Sequence, residues 1–200
     1  MRLRDRDPVR FGPIDVVMVC TGNICRSPMA EVLLRDLLHR RGLDDRLDVG
    51  SAGVWADEGR PATQFAQQAM RARRLDLQGH ASQRVTSELL ESAAVILAMA
   101  DEHRHSLQAL FPEAASRVHM LSEMAGESRS IPDPVGGPLE GYLVLADELA
   151  DLLERGLPRL LALAGAQAPG TDAGPAAYRP TDGAETGSAR HSGRGAKNAV

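Results

Sequence analysis

The segment from Ile14 to Met29 reads IDVVMVCTGNICRSPM. It opens with a short apolar run rich in β-branched residues, which is typical of a buried strand in a parallel sheet. Small, turn-forming residues follow at Cys20–Ser27. Pro28 then stands where helices favour proline, at the first helical position, with Ser27 as the predicted N-cap. The segment therefore predicts a strand, a tight loop and a helix in succession.

The same alternation continues along the chain. The first helix is predicted to end near Arg41, before Gly42. Further strands are predicted at Leu47–Val49, Ala93–Met99 and Val118–Leu121, and further helices at Pro61–Arg73, Asp101–Leu110 and Pro138–Leu163, the last interrupted at Gly156–Pro158. Strands that alternate with helices predict an α/β fold, in which a parallel sheet is covered by helices on both faces.

Length and composition predict one domain. Of the 200 residues, 13–164 are assigned to this domain and 1–12 to a mobile polar lead-in. From residue 165 onward Leu, Ile, Phe, Met and Trp are missing. Such a segment buries too little apolar area to offset its ordering entropy, so 165–200 is predicted to be a disordered tail.

Charge and hydropathy narrow the classes of partner and location. The formal net charge of −4 is a poor match to nucleic-acid binding. No apolar run reaches the roughly 20 residues needed to cross a membrane, and the charged residues 1–10 do not resemble a secretion signal. Two cysteines do not make a disulfide framework. These features predict a cytoplasmic protein with neither nucleic-acid nor membrane partners.

The loop after the first strand predicts a phosphate site. A turn between a strand and a helix directs backbone N–H groups inward, and the positive end of the helix dipole adds to them. Arg26 can bind two phosphate oxygens at once. Cys20 lies on the floor of this cradle, where the dipoles favour a nucleophilic thiolate. Ser27 is placed to donate its hydroxyl to the sulfur.

The chain resembles the low-molecular-weight protein-tyrosine-phosphatase family over roughly 14–154. The matching motifs are Val19–Glu31, Ser51–Gly53, Gly79–Arg84, Ile96–Met99 and Asp133–Pro134. The resemblance implies a three-layer fold of the phosphotyrosine phosphatase I-like, Rossmann-like type, with a four-stranded parallel sheet. It also implies a phosphorylated protein as substrate, with no metal or other cofactor. The apolar end of the last helix is expected to pack in the core or to form a weak dimer.

The resemblance implies three catalytic residues. These are Cys20 as nucleophile, Arg26 as phosphate clamp and Asp133 as general acid. Asp-Pro alone is a common turn dipeptide, but Asp133 lies in a loop rich in Pro and Gly, where a side chain can project over a pocket. The acid would protonate the leaving group, and its carboxylate would then activate water.

The resemblance also implies residues around the phosphate and behind it. Asn23 is expected to tie the loop to Ser27, to Ser51 and to His80. Cys25 is expected to protect oxidised Cys20 by forming a disulfide. Trp55 is either an aromatic wall of the pocket or an ordinary buried or exposed tryptophan. The residues assigned to phosphate or substrate binding are Thr21, Gly22, Asn23, Ile24, Cys25, Ser27 and Trp55.

The phosphorylated side chain has two candidates. Val135 and Gly136 replace the aromatic residues that many tyrosine-directed members carry, and Asp-Pro-x-Gly-Gly is similar to a bacterial branch that includes protein-arginine phosphatases. Ile24 stands where that branch often has Thr, and an apolar side chain favours a phenyl ring over a guanidinium. We interpret the sequence as phosphotyrosine-directed, with phosphoarginine as the alternative.

Two other functions share this scaffold or its phosphate site. An arsenate reductase needs a further cysteine late in the chain, and none follows Cys25. A non-catalytic phosphate-binding module is the alternative of a different class. The joint presence of Cys20, Arg26 and Asp133 favours catalysis.

Overall fold

The computed structural model describes residues 14–165. The predicted lead-in 1–12 and the predicted tail, apart from Gly165, lie outside the described residues. The described part contains strands β1 (Val16–Cys20), β2 (Val49–Gly53), β3 (Val95–Ala98) and β4 (Val118–Met120). Its helices are α1 (Arg26–Arg40), α2 (Gln64–Ala72), α3 (Ser87–Ser92), α4 (Asp101–Leu110), α5 (Leu121–Met124) and α6 (Leu139–Leu163), with a 3₁₀ turn at Pro112–Arg117.

The strands pair in parallel in the order β2-β1-β3-β4. β1 lies inside the sheet, and its side chains alternate between two apolar clusters. Val16 and Met18 belong to the cluster that α1, α2 and α6 cover, whereas Val17 and Val19 belong to the one that α3 and α4 cover. The predicted three-layer α/β fold with a four-stranded parallel sheet is therefore confirmed.

The second strand was predicted too early. Leu47 is buried, but the strand that pairs with β1 begins at Val49 and ends at Gly53. Its later residues are small and have low strand propensity, so the sequence did not reveal them. Close packing requires that small size, because a Cβ on Gly53 would lie 2.6 Å from the carbonyl oxygen of Thr21.

The predicted interruption of the last helix is wrong. α6 continues through Pro158 to Leu163. Buried Leu153, Leu157 and Leu160 hold the helix against the core on both sides of the proline, and this packing offsets the hydrogen bond that proline cannot make. Leu160 and Leu161 are buried, so this part of α6 packs in the core, which is one of the two outcomes expected from the sequence. The sequence did not predict α3, α5 or the 3₁₀ turn, and Leu121, predicted to end the fourth strand, begins α5.

Candidate active site

The loop between β1 and α1 holds the predicted nucleophile at its start. Cys20 ends β1, and its Sγ lies 3.1 Å from Ser27 Oγ. Ser27 was predicted to cap α1, but the helix begins at Arg26 with Cys25 as its N-cap residue. The Ser27 hydroxyl is turned inward to the sulfur instead of to the helix end. The hydroxyl has one proton, which it can donate to a thiolate at this distance or to the carbonyl of Ala52 at 3.3 Å.

Arg26 is nearly enclosed by protein, with 3% of its surface exposed. Its Nη1 donates to the carbonyl of Ile131 at 3.2 Å. Its Nη2 donates to Asp133 Oδ2 at 2.5 Å and to Thr21 Oγ1 at 3.4 Å. Nε is buried and has no hydrogen-bond partner among residues 14–165. An unpaired buried N–H on a cation is costly in free energy. A bound anion would remove this cost by accepting a hydrogen bond from Nε.

Asp133 reaches this guanidinium from the loop before α6. The side chain of Asp133 is 41% exposed, so it faces both Arg26 and solvent. The backbone N–H of Ile131 donates to the carbonyl of Met99, just after β3, at 2.8 Å. The N–H of Val135 donates to Asp133 Oδ1 at 3.1 Å. These bonds fix a carboxylate at the mouth of the site, on a segment distant in sequence from the loop.

These residues enclose a pocket of about 230 Å³. Cys20, Arg26 and Asp133 supply its reactive and charged groups, and Ile24 and Val135 supply apolar side chains. The lining consists of Cys20, Thr21, Gly22, Ile24, Cys25, Arg26, Asp133 and Val135. Trp55 is 60% exposed and is not among the lining residues, so the possible aromatic wall is not found. The backbone N–H of Trp55 donates to the carbonyl of Thr21 in the loop.

Asn23 holds the loop in shape from behind. It adopts a left-handed conformation with φ of 54° and is fully buried. Its Nδ2 donates to Ser27 Oγ at 2.9 Å and to Ser51 Oγ at 2.8 Å. Its Oδ1 accepts from the N–H of Gln83, and its carbonyl accepts from His80 Nε2 at 2.6 Å. The structure thus brings together the expected supports of Asn23 and places the Asn23 and Ser27 side chains outside the pocket lining.

Cys25 lines the pocket, and its sulfur also contacts hydroxyl groups of Thr63, at the start of α2, and Tyr142, in α6. Its Sγ lies 3.3 Å from Thr63 Oγ1 and 3.7 Å from the Tyr142 hydroxyl. Burial raises the pKa of the Cys25 thiol above its usual value, because a thiolate is poorly solvated there. The loop therefore carries a second sulfur that stays protonated at neutral pH.

Sequence reasoning missed His103 and Gln83. His103 lies on α4 and reaches the loop through Thr21, with 2.8 Å between Nε2 and Oγ1. One signal was available, since α4 starts just after β3. The carboxyl ends of parallel strands meet at one edge of a sheet, so residues that follow β1 and β3 are expected to be neighbours. Gln83 offered no comparable signal, because it lies in an irregular segment.

Two classes of feature are not found in the described part of the chain. Among residues 14–165, no group of three or more His, Cys, Asp or Glu side chains is placed to hold a metal ion. No helix in the same range is both long and apolar enough to span a bilayer.

Comparison with known proteins gives a consistent result. The family model for low molecular weight phosphotyrosine protein phosphatases matches residues 15–168. A protein-arginine-phosphatase of Bacillus subtilis is 38% identical over 143 residues, which cover 71% of this chain and 93% of that protein. A probable low molecular weight protein-tyrosine-phosphatase, EpsP of Ralstonia nicotianae, is 34% identical over 152 residues, covering 74% and 97%. Among solved structures, a mutant of the arginine phosphatase YwlE with a phosphorylated active-site serine superimposes with a TM-score of 0.70, at 38% identity and with 74% and 96% covered.

Proposed function

Because this chain belongs to the low molecular weight phosphotyrosine protein phosphatase family, we propose that it hydrolyses phosphotyrosine in proteins through a phosphocysteine on Cys20. The chain is a protein phosphatase, and its substrates are phosphorylated proteins. One observation carries the assignment of residues, namely that Cys20, Arg26 and Asp133 line the same pocket. The phosphorylated serine of the similar YwlE mutant supports a covalent intermediate.

The first half of the reaction transfers the phosphoryl group to sulfur. Arg26 binds the phosphate dianion through Nε and Nη2 after Asp133 leaves Nη2. The Cys20 thiolate attacks phosphorus in line with the leaving oxygen and on the opposite side. The S–P bond forms as the bond to that oxygen breaks. Asp133 in its protonated form gives its proton to that oxygen, so a neutral phenol departs.

The second half regenerates the enzyme. A water molecule attacks the phosphocysteine and passes a proton to the Asp133 carboxylate. The S–P bond breaks, the Cys20 thiolate returns and inorganic phosphate leaves. The Ser27 hydroxyl, 3.1 Å from the sulfur, stabilises the thiolate as leaving group. Neither step requires a metal or a further cofactor.

The apolar surface of the pocket supports tyrosine as the residue that is dephosphorylated. Ile24 and Val135 are lining residues, and both stabilise a flat phenyl ring better than a guanidinium, which loses solvating hydrogen bonds on apolar surface. Phosphoarginine is the second candidate, because a protein-arginine-phosphatase is 38% identical to this chain.

Parallel assays on phosphotyrosine and phosphoarginine peptides of the same sequence test this specificity. We expect kcat/KM to favour phosphotyrosine by about tenfold or more. Ile24→Thr should reduce that ratio severalfold, because it adds a hydroxyl beside the substrate side chain. Ile24→Val is the matched control, since it is close to Thr in shape but apolar, and it should keep the preference. A tenfold preference of the wild type for phosphoarginine would overturn the choice of tyrosine.

We also propose that Cys25 protects the nucleophile. Peroxide converts the Cys20 thiolate to a sulfenic acid, and the Cys25 thiol then displaces water from it to form a disulfide. Peroxide treatment should remove about 2 Da in a form that thiols restore, measured by intact mass. Cys25→Ser should instead gain oxygen irreversibly at Cys20. If the wild type also accumulates only over-oxidised Cys20, the protective role is wrong.

We also propose a location and an assembly state for this enzyme. The enzyme acts in the cytoplasm, where reducing conditions keep both cysteines as thiols; Cys20 and Cys25 are free in this structure. It acts as a monomer or a weak dimer, since Leu160 and Leu161 are buried within the fold and are not available to a partner.

A further inference from the structure

His103 is a buried imidazole in contact with the pocket, and the reaction described above gives it no role. It is 3% exposed. Its Nε2 lies 2.8 Å from Oγ1 of Thr21, the residue that directly follows the nucleophile. Its Nδ1 is also buried and has no hydrogen-bond partner within residues 14–165. Within residues 14–165, the only hydrogen bond of the ring is therefore the one to Thr21, a residue of the phosphate loop.

The ring is neutral at pH 7 and carries a single proton. Burial, and next the nearby Arg26 guanidinium, lower the pKa of His103 to about 4. Two observations place the proton on Nε2. A buried N–H without an acceptor is rarer and costlier than a bare acceptor, so the unpartnered Nδ1 is the deprotonated nitrogen. The Glu102 carboxylate lies 3.7 Å from Nε2 and favours a proton there.

This assignment fixes the direction of the hydrogen bonds at Thr21. A hydroxyl oxygen has two acceptor lone pairs and one proton. His103 Nε2–H fills one lone pair, and Arg26 Nη2, which is only a donor, approaches the other at 3.4 Å. The Thr21 proton is then left over. Thr21 is exposed and lines the pocket, so that proton is available to whatever binds there.

We propose that Thr21 donates its hydroxyl proton to a phosphoryl oxygen of the bound substrate, and that His103 is the positioning residue that keeps this proton free. The Thr21 hydroxyl and the phosphoryl group are expected to lie close together, because the Arg26 Nη2 that contacts Thr21 also belongs to the phosphate clamp. The inference rests on the proposed function only in taking a phosphoryl group as the ligand. It adds a side-chain donor to the backbone donors of the loop.

Inorganic phosphate is the probe, titrated calorimetrically into the full chain. Thr21→Val keeps the shape of the side chain without the hydroxyl and should weaken phosphate binding about tenfold, as expected for one hydrogen bond to a charged group. Thr21→Ser should retain most of the affinity. His103→Leu should weaken binding severalfold, whereas His103→Gln, whose amide N–H can replace Nε2–H, should restore it.

A double-mutant cycle separates positioning from a general structural role. If His103 acts through the Thr21 hydroxyl, His103→Leu should have almost no further effect on phosphate affinity in a Thr21→Val background. Additive losses would overturn the positioning role. Should His103→Leu melt without a cooperative transition, His103→Gln and Thr21→Val still decide the point, together with the nitrogen NMR signals of the imidazole. A ring proton on Nδ1 would contradict the proposal.

These measurements also distinguish the proposed role of Thr21 from the proposed hydrolysis of phosphotyrosine. An unchanged phosphate affinity in Thr21→Val, beside normal turnover of phosphotyrosine peptide by the wild type, would overturn the inference alone. Conversely, the predicted cycle in an enzyme that does not turn over phosphotyrosine peptide would support the inference and overturn only the choice of substrate.

Discussion

Replacement of Cys20 by Ser is expected to lower turnover of phosphotyrosine peptide by about 10⁴-fold or more, the scale seen when a catalytic nucleophile is removed. The serine hydroxyl would occupy the same place at the end of β1, but an alcohol is not ionised at neutral pH and is a weak nucleophile. Arg26 and the loop are unchanged, so binding of inorganic phosphate should persist. Initial rates and calorimetric titration of phosphate measure the two effects separately.

The second cysteine of the loop provides the matched control. Cys25→Ser removes a sulfur from the same pocket, but its side chain bonds toward Thr63 and Tyr142, so it should lose far less turnover than Cys20→Ser. If the two variants lose turnover equally, or if Cys20→Ser keeps a tenth of the wild-type rate, Cys20 is not the nucleophile. Loss of phosphate binding in Cys20→Ser would show that the loop itself had collapsed.

The second large effect is expected for Asp133→Ala. Without a proton donor, expulsion of a phenolate of high basicity should slow by about 10²–10⁴-fold, whereas a nitrophenolate, which leaves readily, should be affected much less. Phosphate affinity should change in the opposite direction. Asp133 occupies Arg26 Nη2 at 2.5 Å, and its removal leaves that donor free for phosphate. Rates on a series of aryl phosphates and phosphate titrations test both effects.

Glu140→Ala is the control for the loss of one negative charge. Glu140 is an exposed carboxylate in the first turn of α6, near in sequence but not part of the pocket lining. It should change neither the leaving-group dependence nor phosphate affinity appreciably. If Asp133→Ala shows the same rates as the wild type on poor leaving groups, the general acid lies elsewhere. Weaker phosphate binding in that variant would contradict the competition for Arg26.

The sequence by itself determined the local chemistry of the site. Cys20 and Arg26 lie on one turn because a β-branched apolar run precedes the loop and a helix follows it. A segment of only seven residues between these two elements has few alternative conformations. The alternation of strands and helices likewise determined the parallel sheet, since a parallel connection needs a crossover. Ser27 shows the limit of such reasoning. The sequence predicted Ser27 as the N-cap of α1, but its hydroxyl is buried beside the Cys20 sulfur and contacts that atom instead.

Only the tertiary structure decided which distant residues complete the site. The Arg26–Asp133 and Thr21–His103 contacts join residues 107 and 82 positions apart. These contacts depend on sheet order and on how each loop is anchored, for example by the bond from Ile131 to Met99. The same packing left Trp55 outside the pocket and carried α6 through Pro158. Local patterns determine which atoms a short segment offers, but distances between segments follow from the packing of the whole core, which no single pattern encodes.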